Sequence, residues 1–105
     1  MLDLYPVSLE VARDAARIAA RLERHDRDLA RQLRRAVTSV PLNLAEGMYS
    51  RGKLKTARYH TALGSAREVL ACIEVGQAMG YLGDIDAEVT DRIDRVIATL
   101  VRLVR

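Results

Sequence analysis

Apolar side chains recur three and four residues apart along almost the whole chain, and they alternate with polar ones only in short pieces such as Val7 to Val11. A spacing near 3.6 puts residues on one side of a helix, whereas a strand needs a spacing of two. The pattern therefore predicts an all-α fold, and it divides into four stretches. The first runs from about Ser8 to Arg24, with Val11, Ala15, Ile18 and Leu22 facing inward and Ser8 or Asp3 as its cap. The second follows a break at His25-Asp26, capped by Asp26 or Asp28, and turns Leu29, Leu33, Ala36, Val37, Val40, Leu44 and Met48 to one side. Pro41 falls inside it, where the ring removes one backbone bond and crowds the carbonyl of Val37; a kink is expected rather than two helices. Gly47 or Gly52 marks its end.

The third helix is expected from Lys53 to Gly80, with Tyr59, Leu63, Ala66, Leu70 and Ile73 inward, and Tyr81 to Gly83 as a turn. The fourth is expected from Asp84. Asp86 and Glu88 lie in its first turn, Ile85, Val89, Ile93, Val96, Ile97, Leu100, Leu103 and Val104 form its stripe, and Arg102 and Arg105 stand at its C-terminal end, as the helix dipole favours. Four amphipathic helices with short connections predict an antiparallel, up-down-up-down four-helix bundle, and 105 residues fit one domain, residues 1–105.

Half of the residues are hydrophobic, which excludes a disordered chain. No uncharged apolar run reaches the ~18 residues of a membrane span, and the N-terminus lacks a basic region followed by an apolar one, so the expected compartment is the cytoplasm, with no membrane partner. The single cysteine, Cys72, excludes an intrachain disulfide and reads as a packed thiol beside Leu70, Ala71 and Ile73. Helical bundles that hold metals use Glu-x-x-His pairs, and this chain has none: His25 falls in a turn, and His60 has no carboxylate three or four residues away. Neither a metal nor a cofactor is expected, and no nucleophile is set beside a base. The chain reads as non-enzymatic; a catalytic reading would have to use Glu46 or Glu68 as acid or base.

Charge is unevenly placed. Between Arg13 and Arg67 there are 13 basic and 5 acidic residues, an excess of +8, against a net charge of +3 for the whole chain. Such an excess suits a polyanion, and the candidates for phosphate contact are Arg13, Arg17, Arg21, Arg31, Arg34, Arg51, Lys53, Lys55 and Arg58. The competing reading is an Arg-rich surface that merely solvates a scaffold for a protein partner. On the first helix Arg13, Arg17 and Arg21 form a like-charged row, partly offset by Glu10 and Asp14 three residues ahead of Arg13 and Arg17.

Two further polar rows border the core. Arg35, Ser39, Asn43 and Glu46 lie four, four and three apart on the second helix; Arg58, Thr61, Ser65, Glu68 and Cys72 answer them on the third. They are expected to form a structural network that fixes helix register, with Arg35 reaching Glu68 and Arg58 reaching Glu46.

The segment from Arg34 to Gly47, Arg-Arg-Ala-Val-Thr-Ser-Val-Pro-Leu-Asn-Leu-Ala-Glu-Gly, resembles the signature of the proteins encoded in bacterial 23S rRNA intervening sequences. Ala62 to Glu68 and Gly80-Tyr81-Leu82 add two matches in the same order. Leu42 stands where a small polar residue usually follows the proline, and the first helix lacks the usual Phe or Trp. The resemblance implies an antiparallel bundle assembled into a homopentameric ring, without known catalysis. It also implies kinship with the accessory protein of diversity-generating retroelements, which engages nucleic acid and a reverse transcriptase. The expected function is an oligomer that binds RNA or DNA with little sequence preference; the alternative is a homo-oligomeric scaffold for a protein such as a reverse transcriptase.

Overall fold

A computed structural model of the chain describes residues 4–105, and every described element is a helix: α1 Leu4–Leu22, α2 Arg27–Met48, α3 Gly52–Ala78 and α4 Ala87–Val104. The bundle measures 42 × 25 × 20 Å. Each helix packs on the next in sequence, α1 also packs on α4, and α2 and α4 occupy opposite corners. The links are short against the helices they join, which suits successive helices running in opposite directions. The register shows this for α2 and α3. Moving forward along α2 from Ser39 to Glu46 moves the partner back along α3 from Ser65 to Arg58.

The helix boundaries correct the sequence reading at two starts. α1 is already helical at Leu4, the first described residue, rather than from near Ser8, and it accommodates Pro6 close to its N-terminal end, where a missing N–H costs little. Ser8 is no cap: it is fully buried, and its Oγ donates to the Tyr5 carbonyl at 2.6 Å. The other cap considered, Asp3, lies outside the described residues. α4 begins at Ala87 rather than Asp84, with Asp86 in the capping position but making no side-chain bond to the helix. Its first turn keeps only Glu88 as an acid. Asp26 does cap α2, accepting from the Leu29 N–H at 3.0 Å. α2 runs unbroken through Pro41, which is buried.

The end of α3 shows why glycine is needed there. Gly80 takes φ +77°, and the N–H groups of Gly80 and Tyr81 donate to the carbonyls of Gln77 and Gly76. This paired arrangement uses up carbonyls the helix would leave unpaired. The chain then folds Leu82 onto Gly76, where an added Cβ would stand 2.8 Å from Leu82 Cδ1 and 2.9 Å from Leu22 Cδ2. Leu22 and Leu82 therefore seal one end of the core by closing over a bare backbone. A second close approach lies towards the other end. The buried Tyr59 ring rests on Gly47, and a Cβ there would fall 2.7 Å from Tyr59 Cδ1. Between these points one continuous core joins all four helices, with Leu22, Leu33, Leu44, Val69, Val96 and Leu100 almost wholly enclosed.

Candidate nucleic-acid interface

The polar rows of α2 and α3 meet along a shallow groove. Ser65 Oγ donates to Ser39 Oγ at 2.7 Å, and Asn43 Nδ2 donates to the Ser39 hydroxyl at 3.0 Å and to its carbonyl at 2.9 Å. These three side chains are half-buried. The charged members are not. Arg58 Nε meets Glu46 Oε2 at 3.0 Å, but both side chains are exposed. Arg35 and Glu68 border the same groove, of about 420 Å³, and make no ion pair across it, contrary to the expected pairing. Both project past the edge of the core into water, where an ion pair gains little. Glu46 and Glu68 are thus open to solvent, and neither lies in an enclosed pocket. No group of three or more His, Cys, Asp or Glu among the described residues could hold a metal ion.

The enclosed ion pair lies elsewhere, between α1 and α4. Asp14 is only 4 % exposed. Its Oδ2 accepts from Arg92 Nε at 2.9 Å, with Arg92 Nη2 in ion-pair contact at the same distance, and its Oδ1 accepts from Arg17 Nη2 at 2.9 Å. Glu10 and Glu88 approach Arg92 at 3.9 and 4.0 Å. The hydrogen bond that Arg92 donates to Asp14, aided by the neighbouring carboxylates, pushes the Arg92 pKa above its ordinary value. The sequence spacing brings Asp14 to Arg17 but gives no sign of Arg92.

Of the nine candidate cations, four are engaged. Arg17 holds Asp14, Arg31 holds Asp28 at 2.7 Å, Arg34 holds Glu23 and Arg58 holds Glu46. The Arg34 hydrogen bond and charge lower the Glu23 pKa. Arg13, Arg21, Arg51, Lys53 and Lys55 have no carboxylate within 4 Å among the described residues, nor have Arg24 and Arg27, which the sequence reading passed over. These free cations do not share one face. Arg21, Arg24 and Arg27 cluster at the α1–α2 turn; Arg51, Lys53 and Lys55 cluster at the α2–α3 turn. α2 separates the two turns by about 33 Å, from its 22 residues at ~1.5 Å each. Arg13 stands apart on α1.

At the α1–α2 end two turns converge. His25 stacks on Tyr81, with ring centroids 5.1 Å apart and planes within 6°. Tyr81 is half-buried and His25 exposed, so His25 is the outer ring. Beside it opens a cavity bordered by Arg27 and Arg31.

α3 differs from the other helices, because its apolar residues are spread round it rather than gathered on one side. On its outer surface Leu54, Thr61, Glu68 and Val75 follow one another at seven-residue steps, interleaved with Ala57, Gly64, Ala71 and Ala78 at the same step. All eight are exposed. Of the six large hydrophobic side chains most open to water, Leu42, Tyr49, Leu54, Val75 and Met79 belong to α2, α3 or the residue that ends each. The repeat of small residues is visible in the sequence once the outer face of α3 is known. Cys72, by contrast, is buried, and that burial, with the Glu68 charge, pushes its thiol pKa up. Burial also pushes up the Tyr59 hydroxyl, which has no hydrogen-bond partner among the described residues.

No helix is long and apolar enough to cross a membrane. No curated protein matches the sequence. The fold is similar to the crystal structure of a protein of unknown function from the S23 ribosomal protein family of Bacteroides thetaiotaomicron VPI-5482. The TM-score is 0.82 at 18% identity, over 97% of this chain and 98% of that one. The profile of the 23S rRNA-intervening sequence proteins matches residues 1–102. With the Arg34 to Gly47 segment placed along α2 and Gly47 seating Tyr59, this match over nearly the full length establishes that the chain belongs to the 23S rRNA-intervening sequence protein family.

Proposed function

We propose that this chain is a non-catalytic, self-assembling helical bundle that holds RNA or DNA through phosphate contacts made at the ends of the bundle. One observation supports the reading: two groups of cations free of carboxylate partners among the described residues stand at the two ends, Arg21, Arg24 and Arg27 at one and Arg51, Lys53 and Lys55 at the other, while Arg13, Arg35, Arg67 and Arg95 are free along the length between. Free guanidinium and ammonium groups can take up phosphate without first giving up a partner. Contacts of this kind carry no base information, so sequence preference is weak.

Assembly multiplies them. The exposed seven-residue repeat on α3 suits a second copy, since small residues let helices approach closely and a chain of this length gains from added burial. A ring of five is the number implied by the family resemblance. A salt titration of binding to mixed-sequence RNA and duplex DNA tests the proposal. Affinity should fall steeply between ~50 and ~200 mM salt. Absence of binding to either at ~50 mM, by an assembled sample, returns the chain to the protein-scaffold reading.

A further inference from the structure

We infer that the His25–Tyr81 stack is a platform for an unpaired nucleobase, so that the α1–α2 end of the bundle takes single-stranded nucleic acid in preference to duplex. The inference rests on the nucleic-acid reading above and goes beyond it, because phosphate contacts alone make no use of a base.

The geometry has three parts. First, the two rings are parallel and in stacking contact, and the inner one, Tyr81, is held by the bonded turn that ends α3. The outer ring is therefore backed by a fixed surface, which lowers the ordering cost of stacking one more ring on it. Second, His25 is exposed and borders an open cavity of about 640 Å³, so a third ring has access. Third, cations stand beside it: the cavity is lined by Arg27 and Arg31 as well as Asp26 and Asp28, and Arg24 adds a further positive charge. Arg24 and Arg27 flank His25 in sequence with no carboxylate partner among the described residues. The carboxylates nearby are already engaged, Glu23 by Arg34, Asp26 by the Leu29 N–H and Asp28 by Arg31. An aromatic face next to free guanidinium groups is the combination that holds single strands, the base on the ring and the phosphate on the cation. A duplex hides its base faces in its own stack and cannot use the ring.

The opposite end offers a contrast. Arg51, Lys53 and Lys55 lie near the exposed Tyr49, but no second ring among the described residues backs that side chain.

The test compares short oligo(dT) and oligo(U) with an abasic phosphodiester chain of the same length and with duplex, by fluorescence anisotropy at ~50 mM salt. The base-bearing strands should bind about 5- to 150-fold more tightly than the abasic chain, the range that stacking on one aromatic ring supplies. His25→Ala should erase that difference while leaving abasic binding unchanged, and His25→Phe should restore it, which separates a lost platform from a damaged fold. Equal binding of base-bearing and abasic chains by the unaltered protein overturns the inference and leaves the phosphate reading standing. A base preference that survives His25→Ala also overturns it. No binding to any of these probes overturns both.

Discussion

Arg92 of α4 places both Nε and Nη2 at 2.9 Å from one carboxylate oxygen of Asp14 on α1, and so ties together two helices that are far apart in sequence. The two partners are unequally buried: the Asp14 side chain is 4 % exposed and that of Arg92 27 %. Removing one leaves the other unpaired, and the cost follows the burial of what is left behind. Arg92→Ala should therefore lower Tm more than Asp14→Ala, although Arg17 still reaches Asp14. Thermal melts of the two variants decide the order; equal shifts would show that the pair is worth no more than a surface contact.

Gly47→Ala sets two effects against each other. In an open helix the change stabilises by ~1 kcal/mol. Here the new methyl would meet the buried Tyr59 ring, which has no room to swing aside. We expect a net loss of about 1–3 kcal/mol in urea denaturation. Gly76→Ala should cost less, because the atoms it meets are the flexible ends of Leu82 and Leu22.

Stability should decline in alkali. The fold raises the pKa of Cys72 from its ordinary 9.0, so it favours the neutral thiol. That contribution is fully present below pH 9.0 and is lost as the pH climbs through the raised value. The hydroxyl of Tyr59, ordinarily at 10.0, acts in the same direction about one unit higher. The urea midpoint should be flat from pH 7 to 8.5 and fall above 9. Cys72→Ala should flatten the first part of that fall, whatever its effect at neutral pH.

Gly64 offers a clean probe of assembly. A Cβ there meets nothing within 4 Å, so Gly64→Glu should leave the fold intact and even favour the helix. On the outer face of α3 it should block a second copy. Light scattering should show a smaller particle with unchanged helicity by circular dichroism. A particle of undiminished size would remove α3 from the contact.

The groove between α2 and α3 separates hydroxyl from charge. Ser39→Ala removes a half-buried acceptor of two side-chain bonds and should cost about 1 kcal/mol. Arg35→Ala should cost under ~0.5 kcal/mol in the single chain, because Arg35 is exposed and makes no ion pair. Denaturation of both variants at low protein concentration checks the contrast.

Much of this was legible in the chain. The helical periods place the inward stripes, and Asp26, Gly80 and the continuity of α2 through Pro41 follow from local rules. The pairing of Glu46 with Arg58 was legible because a tight turn between antiparallel helices brings the end of one row beside the start of the other, whereas the bond between Ser39 and Ser65 was not singled out. What escaped depends on distant parts of the chain meeting. Nothing near Asp14 announces Arg92, and nothing near His25 announces Tyr81. Charge counting also treats all cations alike, whereas the fold spends Arg17, Arg31, Arg34 and Arg58 on carboxylates and leaves Arg24 and Arg27 free.

Around the bundle, three of the four contacts between adjacent helices join neighbours in sequence; α1 against α4 alone brings the ends together. The Asp14–Arg92 bond spans 78 residues. Bringing such distant positions together costs more chain entropy than closing the short turns between successive helices. The three-helix stack from α1 to α3 can form from local pairings, and α4 can dock last. A bond made after the rate-limiting barrier holds the folded state without hastening its arrival. The Asp14–Arg92 clasp therefore acts as a brake on opening: its loss should shorten the lifetime of the folded chain and leave the time it takes to fold almost unchanged.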